Sequence, residues 1–271
     1  MAHLAIRLKN FLWRQALKYL VNPNKVVNVQ GNKMFLDSKD SLLLSIRRNY
    51  EPRHVDLLKR TIKSGDYVLD VGAHIGYYTL LLAKLVGKNG KVFSFEPDPE
   101  NFKVLQKNVK ENGYKNVILE NKAVSNKNGR VKLFLSKINK GDTRIYPTFN
   151  DKERESESRY EVDSVRLDTY LKKNLKKIKF FKMDIQGAEL FAFNGMKNTL
   201  KNKGLKFTVE FSPENLTSIG SNPQDFLDTL LKNKFSLFDV DKQKKINPPQ
   251  IKSFVNYYKK INYFTTIYGC K

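Results

Sequence analysis

The chain has 271 residues, of which 40% are hydrophobic, 12% aromatic and 28% charged, and this composition is typical of a globular protein with one large core. Its single cysteine, Cys270, excludes an internal disulfide framework and a multi-thiol metal site, and fits a reducing compartment. The formal net charge of +23 fits either a polyanionic partner such as nucleic acid or a general lysine bias. We favour the lysine bias, because the sequence has neither an arginine-rich tract nor an aromatic RNA-binding signature.

The chain begins with a predicted amphipathic helix over residues 3–21. Charged residues interrupt this helix too often for a signal peptide or a membrane span, and no such span follows, so we expect a cytoplasmic protein. We expect its apolar face to pack on the main domain or on a second subunit, forming a homodimer; the alternative is a basic helix lying on a membrane surface. Residues 1–60 are predicted to be an extension that contacts substrate or another subunit, followed by the main domain over residues 61–271.

From residue 65 onward, apolar runs alternate with helical patterns, which is typical of βαβ units and a parallel sheet. A polar, aperiodic segment over residues 138–160 interrupts this alternation and is either a substrate loop or a disordered surface segment. The sequence thus predicts an α/β fold whose parallel sheet is closed by late strands. The predicted helices cover residues 77–85, 99–112, 168–175, 188–200 and 223–232. The predicted strands cover residues 67–71, 91–95, 117–120, 131–135, 162–165, 179–185, 206–211, 235–240 and 263–268, with a Pro-Pro turn at 248–249 between the last two.

The stretch VLDVGAHIGYYTLLLA, residues 68–83, runs from a buried strand through two glycines into a helix. Asp70, Gly72 and Gly76 are predicted to lie beyond the carboxyl end of the strand, where open α/β sheets bind ligands. The glycines let the backbone approach a ligand closely, and the first amides of the helix favour an anion. Glu96, at the end of the second strand, is placed to accept hydrogen bonds from both hydroxyls of a ribose.

The spacing of this turn distinguishes two classes of nucleotide-like ligand. A dinucleotide site requires G-x-G-x-x-G, but the positions counted from Gly72 hold His74 and Tyr77, which disfavours a dehydrogenase. The observed D-x-G-x-H-x-G is similar to the D/E-x-G-x-G-x-G pattern of S-adenosylmethionine-dependent methyltransferases, with His74 at the middle glycine. A tight turn without a ligand is the alternative.

Five blocks of sequence together resemble the FkbM-type methyltransferase family over roughly residues 50–211. They are YEPRHVDLLKRTIKSGDYVLDVGAHIGYYTLLLAK, VFSFEPDPENF, NKAVSNKNG, VRLDTYL and FKMDIQGAEL. The resemblance implies a Rossmann-like methyltransferase fold: a mainly parallel seven-stranded sheet with helices on both faces and a late antiparallel strand. It also implies S-adenosylmethionine as the cofactor and O-methylation of a hydroxyl on a sugar, glycan or secondary metabolite.

The same resemblance implies which residues hold the cofactor. The turn would hold the methionine and ribose portion, Glu96 the ribose diol, and residues 121–123 would lie against the adenine. Glu51, ahead of the first strand, would close over the cofactor, although an acid at a helix start is an equal alternative. The cofactor-binding residues expected in this way are Glu51, Asp70, Gly72, Ala73, His74, Gly76, Glu96, Pro97, Asn121 and Ala123.

The block KMDIQGAEL supplies the expected catalytic residues, Asp184 and Glu189. Gln186 departs from the family pattern D-V-E-G-A-E, where glutamate is usual, and leaves these two acids as the pair facing the transfer site. We expect Asp184 to take the proton of the acceptor hydroxyl or to orient the acceptor. The alternative is that Asp184 caps the following helix or orients the cofactor.

Several alternatives stay open at this point. His74 is either a cofactor contact or base, or a polar residue that shapes the turn. Tyr77 and Tyr78 either present a ring to the sulfonium or pack in the core. No His/Cys cluster has ligand spacing, so we expect no metal. The net charge leaves an RNA methyltransferase on the same fold as a competing function, and Gln186 leaves a non-catalytic scaffold protein.

Overall fold

The computed structural model describes residues 26–38, 40–46, 49–134, 144–145 and 158–271. The predicted helix over residues 3–21 and most of the predicted 138–160 segment lie outside these residues. In chain order the strands are β1 (Val26–Val29), β2 (Asn32–Phe35), β3 (Tyr67–Val71), β4 (Lys91–Phe95), β5 (Val117–Glu120), β6 (Ala123–Val124), β7 (Gly129–Phe134), β8 (Ser158–Val165), β9 (Ile178–Met183), β10 (Lys206–Phe211), β11 (Ser236–Asp239), β12 (Lys244–Ile246) and β13 (Thr265–Cys270). The α-helices are α1 (Pro52–Thr61), α2 (Tyr77–Val86), α3 (Pro99–Glu111), α4 (Leu167–Leu171), α5 (Glu189–Gly195), α6 (Pro213–Ser218), α7 (Pro223–Lys232) and α8 (Ile251–Ile261).

An eight-stranded sheet with the order β12-β11-β13-β10-β9-β3-β4-β5 forms the centre of the fold. Strands β10, β9, β3, β4 and β5 are parallel neighbours, whereas β13 runs antiparallel to both β10 and β11. The predicted α/β fold with a mainly parallel sheet and a late antiparallel strand is therefore confirmed. The predicted number of seven strands was wrong, because β12 pairs with β11 as an eighth strand that is too short to show a period in the sequence.

Alternate residues of the central strands pack into two cores, one on each face of the sheet. Leu69 and Val71 belong to the core covered by α4 to α8. Val68 and Phe180 belong to the core covered by α1, α2, α3 and the β1–β2 hairpin. The helices therefore lie on both faces, as predicted, and the side chains of Asp70 and Lys182 share the face of Val68 and Phe180.

The predicted bounds of β3, β4, β5, β10 and α7 agree with the structure. The predicted helix over residues 188–200 was too long: α5 ends at Gly195, and a 3-10 turn follows at Thr199–Lys201. A Cβ at Gly195 would lie 2.1 Å from the Ser125 carbonyl oxygen, so close backbone packing accompanies the end of this helix. The sequence analysis also missed the β1–β2 hairpin and α8, which follows the Pro-Pro turn. Within the described parts of the chain, no helix is long and apolar enough to span a bilayer.

The Asn108 side chain joins the β1–β2 hairpin to the glycine-containing turn. Its Oδ1 accepts from the Phe35 amide at 2.7 Å, and its Nδ2 donates to the carbonyl oxygens of Phe35 at 3.0 Å and Ile75 at 2.7 Å. Asn108 lies on α3, and Asn112 directly follows the end of that helix. The Asn112 side chain accepts from the Lys33 amide and donates to the Lys33 carbonyl oxygen. The hairpin is thus held by one buried and one partly exposed asparagine.

We expect Asn108→Ala to lower the free energy of unfolding by about 2–3 kcal/mol, because it leaves buried backbone groups unpaired. Asn112→Ala should lower it by about 1 kcal/mol or less, since water replaces the lost bonds. Urea titration of both variants measures the difference. Equal losses of unfolding free energy would show that burial does not determine how strongly each asparagine holds the β1–β2 hairpin.

Candidate cofactor and methyl-transfer site

The carboxyl ends of β3 and β9 meet where the strand order reverses. The chain proceeds from β3 to β4 and β5 on one side and from β9 to β10 on the other, and open α/β sheets bind ligands at such a point. Gly72 has a left-handed φ of 80°, and a Cβ there would lie 1.9 Å from the Asp184 carbonyl oxygen. Only glycine lets the loops after β3 and β9 touch in this way.

The Glu96 carboxylate lies in the predicted position and is held by two backbone amides. The His74 amide donates to its Oε2 at 2.7 Å, and the Asp98 amide donates to its Oε1 at 2.9 Å. The residue is 4% exposed, and this burial raises the pKa of Glu96 to about 7, although both amide bonds act in the opposite direction. Each oxygen keeps a further lone pair for a ligand.

The His74 ring is buried without a hydrogen-bond partner. The residue has a left-handed φ of 51°, and neither ring nitrogen has a partner among the described residues. Burial lowers the pKa of His74, so the ring is neutral at pH 7 and offers one donor and one acceptor. Buried polar atoms normally have partners, so both ring nitrogens keep unused hydrogen-bonding capacity.

The remaining predicted cofactor residues are placed as follows. Gly76, with φ 96°, precedes α2, and a Cβ there would lie 2.7 Å from a methyl group of Leu105. The Asn121 side chain donates to the carbonyl oxygens of Glu96 at 2.8 Å and Pro97 at 3.0 Å, which joins the segment after β5 to the end of β4. The Ala73 amide donates to the Phe95 carbonyl oxygen at 3.0 Å, as does that of Gly72, and Ala123 is buried in a smaller core with Leu133 and Ala188.

A buried lysine that the sequence analysis did not anticipate lies between Asp184 and the turn over residues 72–76. Lys182 stands opposite Asp70 in the sheet register, and its Nζ lies 3.0 Å from the Gly72 carbonyl oxygen. The same atom is 3.8 Å from Asp70 Oδ1 and 3.9 Å from Asp184 Oδ2. Burial disfavours the charged form and so acts to lower the pKa of Lys182. The surrounding carboxylates have the larger combined effect and raise the pKa. The available signal was a lysine inside the apolar strand KFFKMDI, two residues before Asp184.

The two expected catalytic carboxylates have different environments. The Asp184 side chain is 37% exposed, and its Oδ1 accepts a hydrogen bond from Gln186 Nε2 at 2.9 Å. Glu189 is 1% exposed, and its Oε1 accepts from the Ile185 amide at 2.9 Å and, at 3.4 Å, from the Gly187 amide; burial raises the pKa of Glu189 to about 7. Asp184 does not cap α5, which begins after Ala188 without a side-chain cap. Asp184 is therefore the more accessible carboxylate of the two.

Glu51 reaches the same edge from the start of α1. It accepts a hydrogen bond from the Tyr78 hydroxyl, and its Oε2 lies 3.2 Å from His54 Nδ1. Burial opposes the charge of Glu51, but His54, Tyr78 and Lys182 together lower its pKa. The Tyr77 hydroxyl binds the Tyr50 backbone, so both tyrosines hold the segment before α1.

Glu210, on β10, is a second charged residue that the sequence analysis missed. Its partial burial, with the charges of Asp184 and Glu189, raises the pKa of Glu210 well above the usual value. Lys182 thus has Asp70, Asp184, Glu51 and Glu210 as acidic neighbours. Among the described residues, no group of three His, Cys, Asp or Glu is placed to hold a metal ion.

The strand order, the glycine turn and Glu96 define an α/β domain built to bind a nucleotide-like cofactor at the carboxyl edge of its sheet. A family model described as "Methyltransferase FkbM domain" matches residues 70–237. The chain belongs to the FkbM methyltransferase family and carries an S-adenosylmethionine-dependent methyltransferase domain, which confirms the resemblance seen in the sequence.

Similar curated proteins match only part of the chain. The chain is 41% identical over 56 residues to a protein-L-isoaspartate O-methyltransferase of Methanococcus aeolicus, covering 21% of this chain and 26% of that protein. It is 36% identical over 58 residues to protein-L-isoaspartate O-methyltransferase 1 of Archaeoglobus fulgidus, covering 21% and 27%. The match thus spans about a quarter of the length of these relatives.

Two similar solved structures have lower identity and wider coverage. One is the methyltransferase FkbM of Methylobacillus flagellatus, with 15% identity and a TM-score of 0.45, covering 98% of this chain and 60% of that one. The other is a SAM-dependent methyltransferase of Aquifex aeolicus, with 17% identity and a TM-score of 0.44, covering 95% and 97%.

We expect Lys182→Met to lower the free energy of unfolding by about 3–5 kcal/mol, because Asp70 then stays buried without its counter-charge. Adding Asp70→Asn removes both charges and should recover at least about half of that loss. Urea titrations of the two single variants and the double variant measure the coupling. Strictly additive losses would contradict an ion pair at this position.

Proposed function

We propose that the protein transfers a methyl group from S-adenosylmethionine to a hydroxyl of a sugar, glycan or secondary metabolite. The main support is the contact between the loops after β3 and β9. The Asp184 backbone lies against Gly72, and its half-exposed carboxylate is linked to the same turn through Lys182, whose Nζ is 3.0 Å from the Gly72 carbonyl oxygen and 3.9 Å from Asp184 Oδ2. An acceptor bound at Asp184 would therefore lie next to the cofactor. The single cysteine, Cys270, supports a cytoplasmic setting as part of the same proposal.

The residues of the turn after β3, together with Glu96, fit this cofactor. Glu96 keeps free lone pairs that suit two ribose hydroxyls, and the buried His74 ring keeps a donor and an acceptor without partners. Gly72 and Gly76 let the turn pack closely against the Asp184 carbonyl oxygen and the Leu105 side chain. These four residues would hold the cofactor, which when bound supplies a methyl group on a positively charged sulfur.

Asp184 would act on the acceptor. A hydroxyl that gains a methyl group must lose its proton, and a carboxylate within hydrogen-bond reach can take it as the new bond forms. Lys182 Nζ lies 3.9 Å from Asp184 Oδ2, and Gln186 donates a hydrogen bond to Oδ1. These contacts favour a carboxylate held in one position, from which it would accept from the acceptor hydroxyl.

We expect S-adenosylhomocysteine to bind with micromolar affinity in titration calorimetry, and Glu96→Ala to weaken this binding by about tenfold or more. Glu96 must be ionised to accept from both hydroxyls, and its pKa is about 7. The affinity should therefore fall as the pH drops below 7, by up to about tenfold per pH unit.

Two variants control this measurement. Glu96→Gln cannot ionise, so its weaker binding should lose the pH dependence. Glu111→Gln removes an acid at the exposed end of α3 and should bind like the wild type. Absence of binding by the folded wild-type protein would refute the proposed cofactor site.

We expect methyl-labelled S-adenosylmethionine to label free sugars or glycans in a panel of hydroxyl acceptors. Asp184→Asn should keep the affinity for S-adenosylhomocysteine but lower the turnover number by about 100-fold, since the amide cannot take the proton. Asp225→Asn, on the exposed side of α7, is the matched control and should keep full turnover. Label found in RNA, with none in sugars, would overturn the proposed acceptor class, and full turnover by Asp184→Asn would overturn its role as base.

A further inference from the structure

Both the nitrogen and the oxygen of the Gln186 side-chain amide form hydrogen bonds. Its Nε2 donates to Asp184 Oδ1 at 2.9 Å, and its Oε1 accepts from Asn215 Nδ2 at 3.1 Å. A carboxylate accepts but cannot donate, so the bond to Asp184 determines which way the amide faces. A glutamate in the same place could not donate to Asp184 and would bring a second negative charge against it.

The turn that carries Gln186 is held against the start of α6. Gln186 has a left-handed φ of 57°, which is uncommon for a residue with a side chain. The next residue, Gly187, has φ 104°, and a Cβ there would lie 2.5 Å from the Asn215 carbonyl oxygen. The packing of α6 against this turn therefore supports a backbone conformation that the turn would rarely adopt alone.

Arg144 holds Asn215 from the other side. Its Nη2 donates to Asn215 Oδ1 at 3.1 Å and its Nη1 donates to Ser218 Oγ at 3.2 Å, and the residue is only 6% exposed. The Arg144 backbone pairs with Phe134 at the end of β7 through bonds of 2.7 and 2.9 Å. Ile145 packs in the small core that contains Ala188. Arg144 is thus tied both to the sheet formed by β6, β8 and β7 and to the loop of Asp184.

We propose that Gln186 is a positioning residue that orients the Asp184 carboxylate, and that Arg144 fixes Gln186 through Asn215. The Gln186 amide donates to Oδ1 at 2.9 Å, and the Lys182 ammonium group lies 3.9 Å from Oδ2, so the two oxygens of the carboxylate have different neighbours that favour one orientation. The other charged groups near Asp184 are carboxylates on separate elements, so the amide adds a contact without adding a fourth acid. These three acids are Glu189 on α5, Glu210 on β10 and Asp70 on β3.

This inference rests on the proposed function of Asp184 and extends it to Arg144, which lies in the region where the sequence predicts a substrate loop. The Arg144 guanidinium donates to Asn215, Asn215 donates to Gln186, and Gln186 donates to Asp184. Arg144 is therefore coupled to the position of Asp184 through side-chain hydrogen bonds.

The test follows the side-chain amide signal of Gln186 in ¹H–¹⁵N NMR spectra, identified as the signal absent from Gln186→Glu. We expect this signal to move in Asp184→Asn, which loses the charged acceptor, and in Arg144→Met, which releases Asn215. Gln224→Glu, an isosteric change at an exposed position on α7, should leave it in place. If Gln186→Glu does not fold, the signal is assigned through the backbone and Arg144→Met carries the test.

Activity supplies the second measurement. With the hydroxyl acceptor found by labelling, Gln186→Glu should lower the turnover number by about tenfold or more, with the affinity for S-adenosylhomocysteine within about twofold of wild type. A Gln186 signal in Arg144→Met identical to that of the wild type would overturn the coupling to Arg144, and full turnover by Gln186→Glu would overturn the positioning role. Failure of the wild type to bind S-adenosylhomocysteine would instead refute the proposed function, whatever the Gln186 signal does.

Discussion

The buried ammonium group of Lys182 holds the site together. It lies where the strand order reverses and contacts the Gly72 carbonyl oxygen and the carboxylates of Asp70 and Asp184. A buried charge is tolerated only with partners of opposite charge, so the lysine and the two aspartates require one another. Because these groups come from β3, β9 and the loops that follow, their attraction fixes the loops after β3 and β9 relative to each other. The methyl-transfer geometry that we propose depends on this arrangement.

Burial gives chemically similar carboxylates different properties at this edge. Glu96 and Glu189 are almost completely buried and are held by backbone amides, and burial raises the pKa of each to about 7. Asp184 is half-exposed, with an amide and an ammonium group beside its two oxygens. A single edge of the sheet therefore holds two buried acids bound to backbone amides and one acid that is open to solvent.

The parts of the fold that sequence patterns predicted are those where apolar periodicity dominates. Strands β3, β4 and β10 agree with their predicted bounds because each is a mostly buried run rich in apolar residues, and the half-buried edge strand β5 is a short apolar run that ends at Glu120. The three residues of β12 are too few to show a period, and the helix predicted over 188–200 ends early at Gly195, next to the Ser125 backbone. The missed helix α8 followed two prolines, which we took as a turn alone.

The sequence by itself determined the family, the alternation of strands and helices, and the glycine turn with Glu96, since these depend on residues close together in the chain or on spacing within a motif. Only the tertiary structure brought Lys182, Glu210 and Arg144 to the site. Their partners are many residues away in sequence, as with Lys182 and Gly72 or Arg144 and Asn215, so no local pattern records the contacts. The close approach of the Asp184 carbonyl oxygen to Gly72 was decided in the same way, by the packing of two parallel strands whose ends meet at one edge.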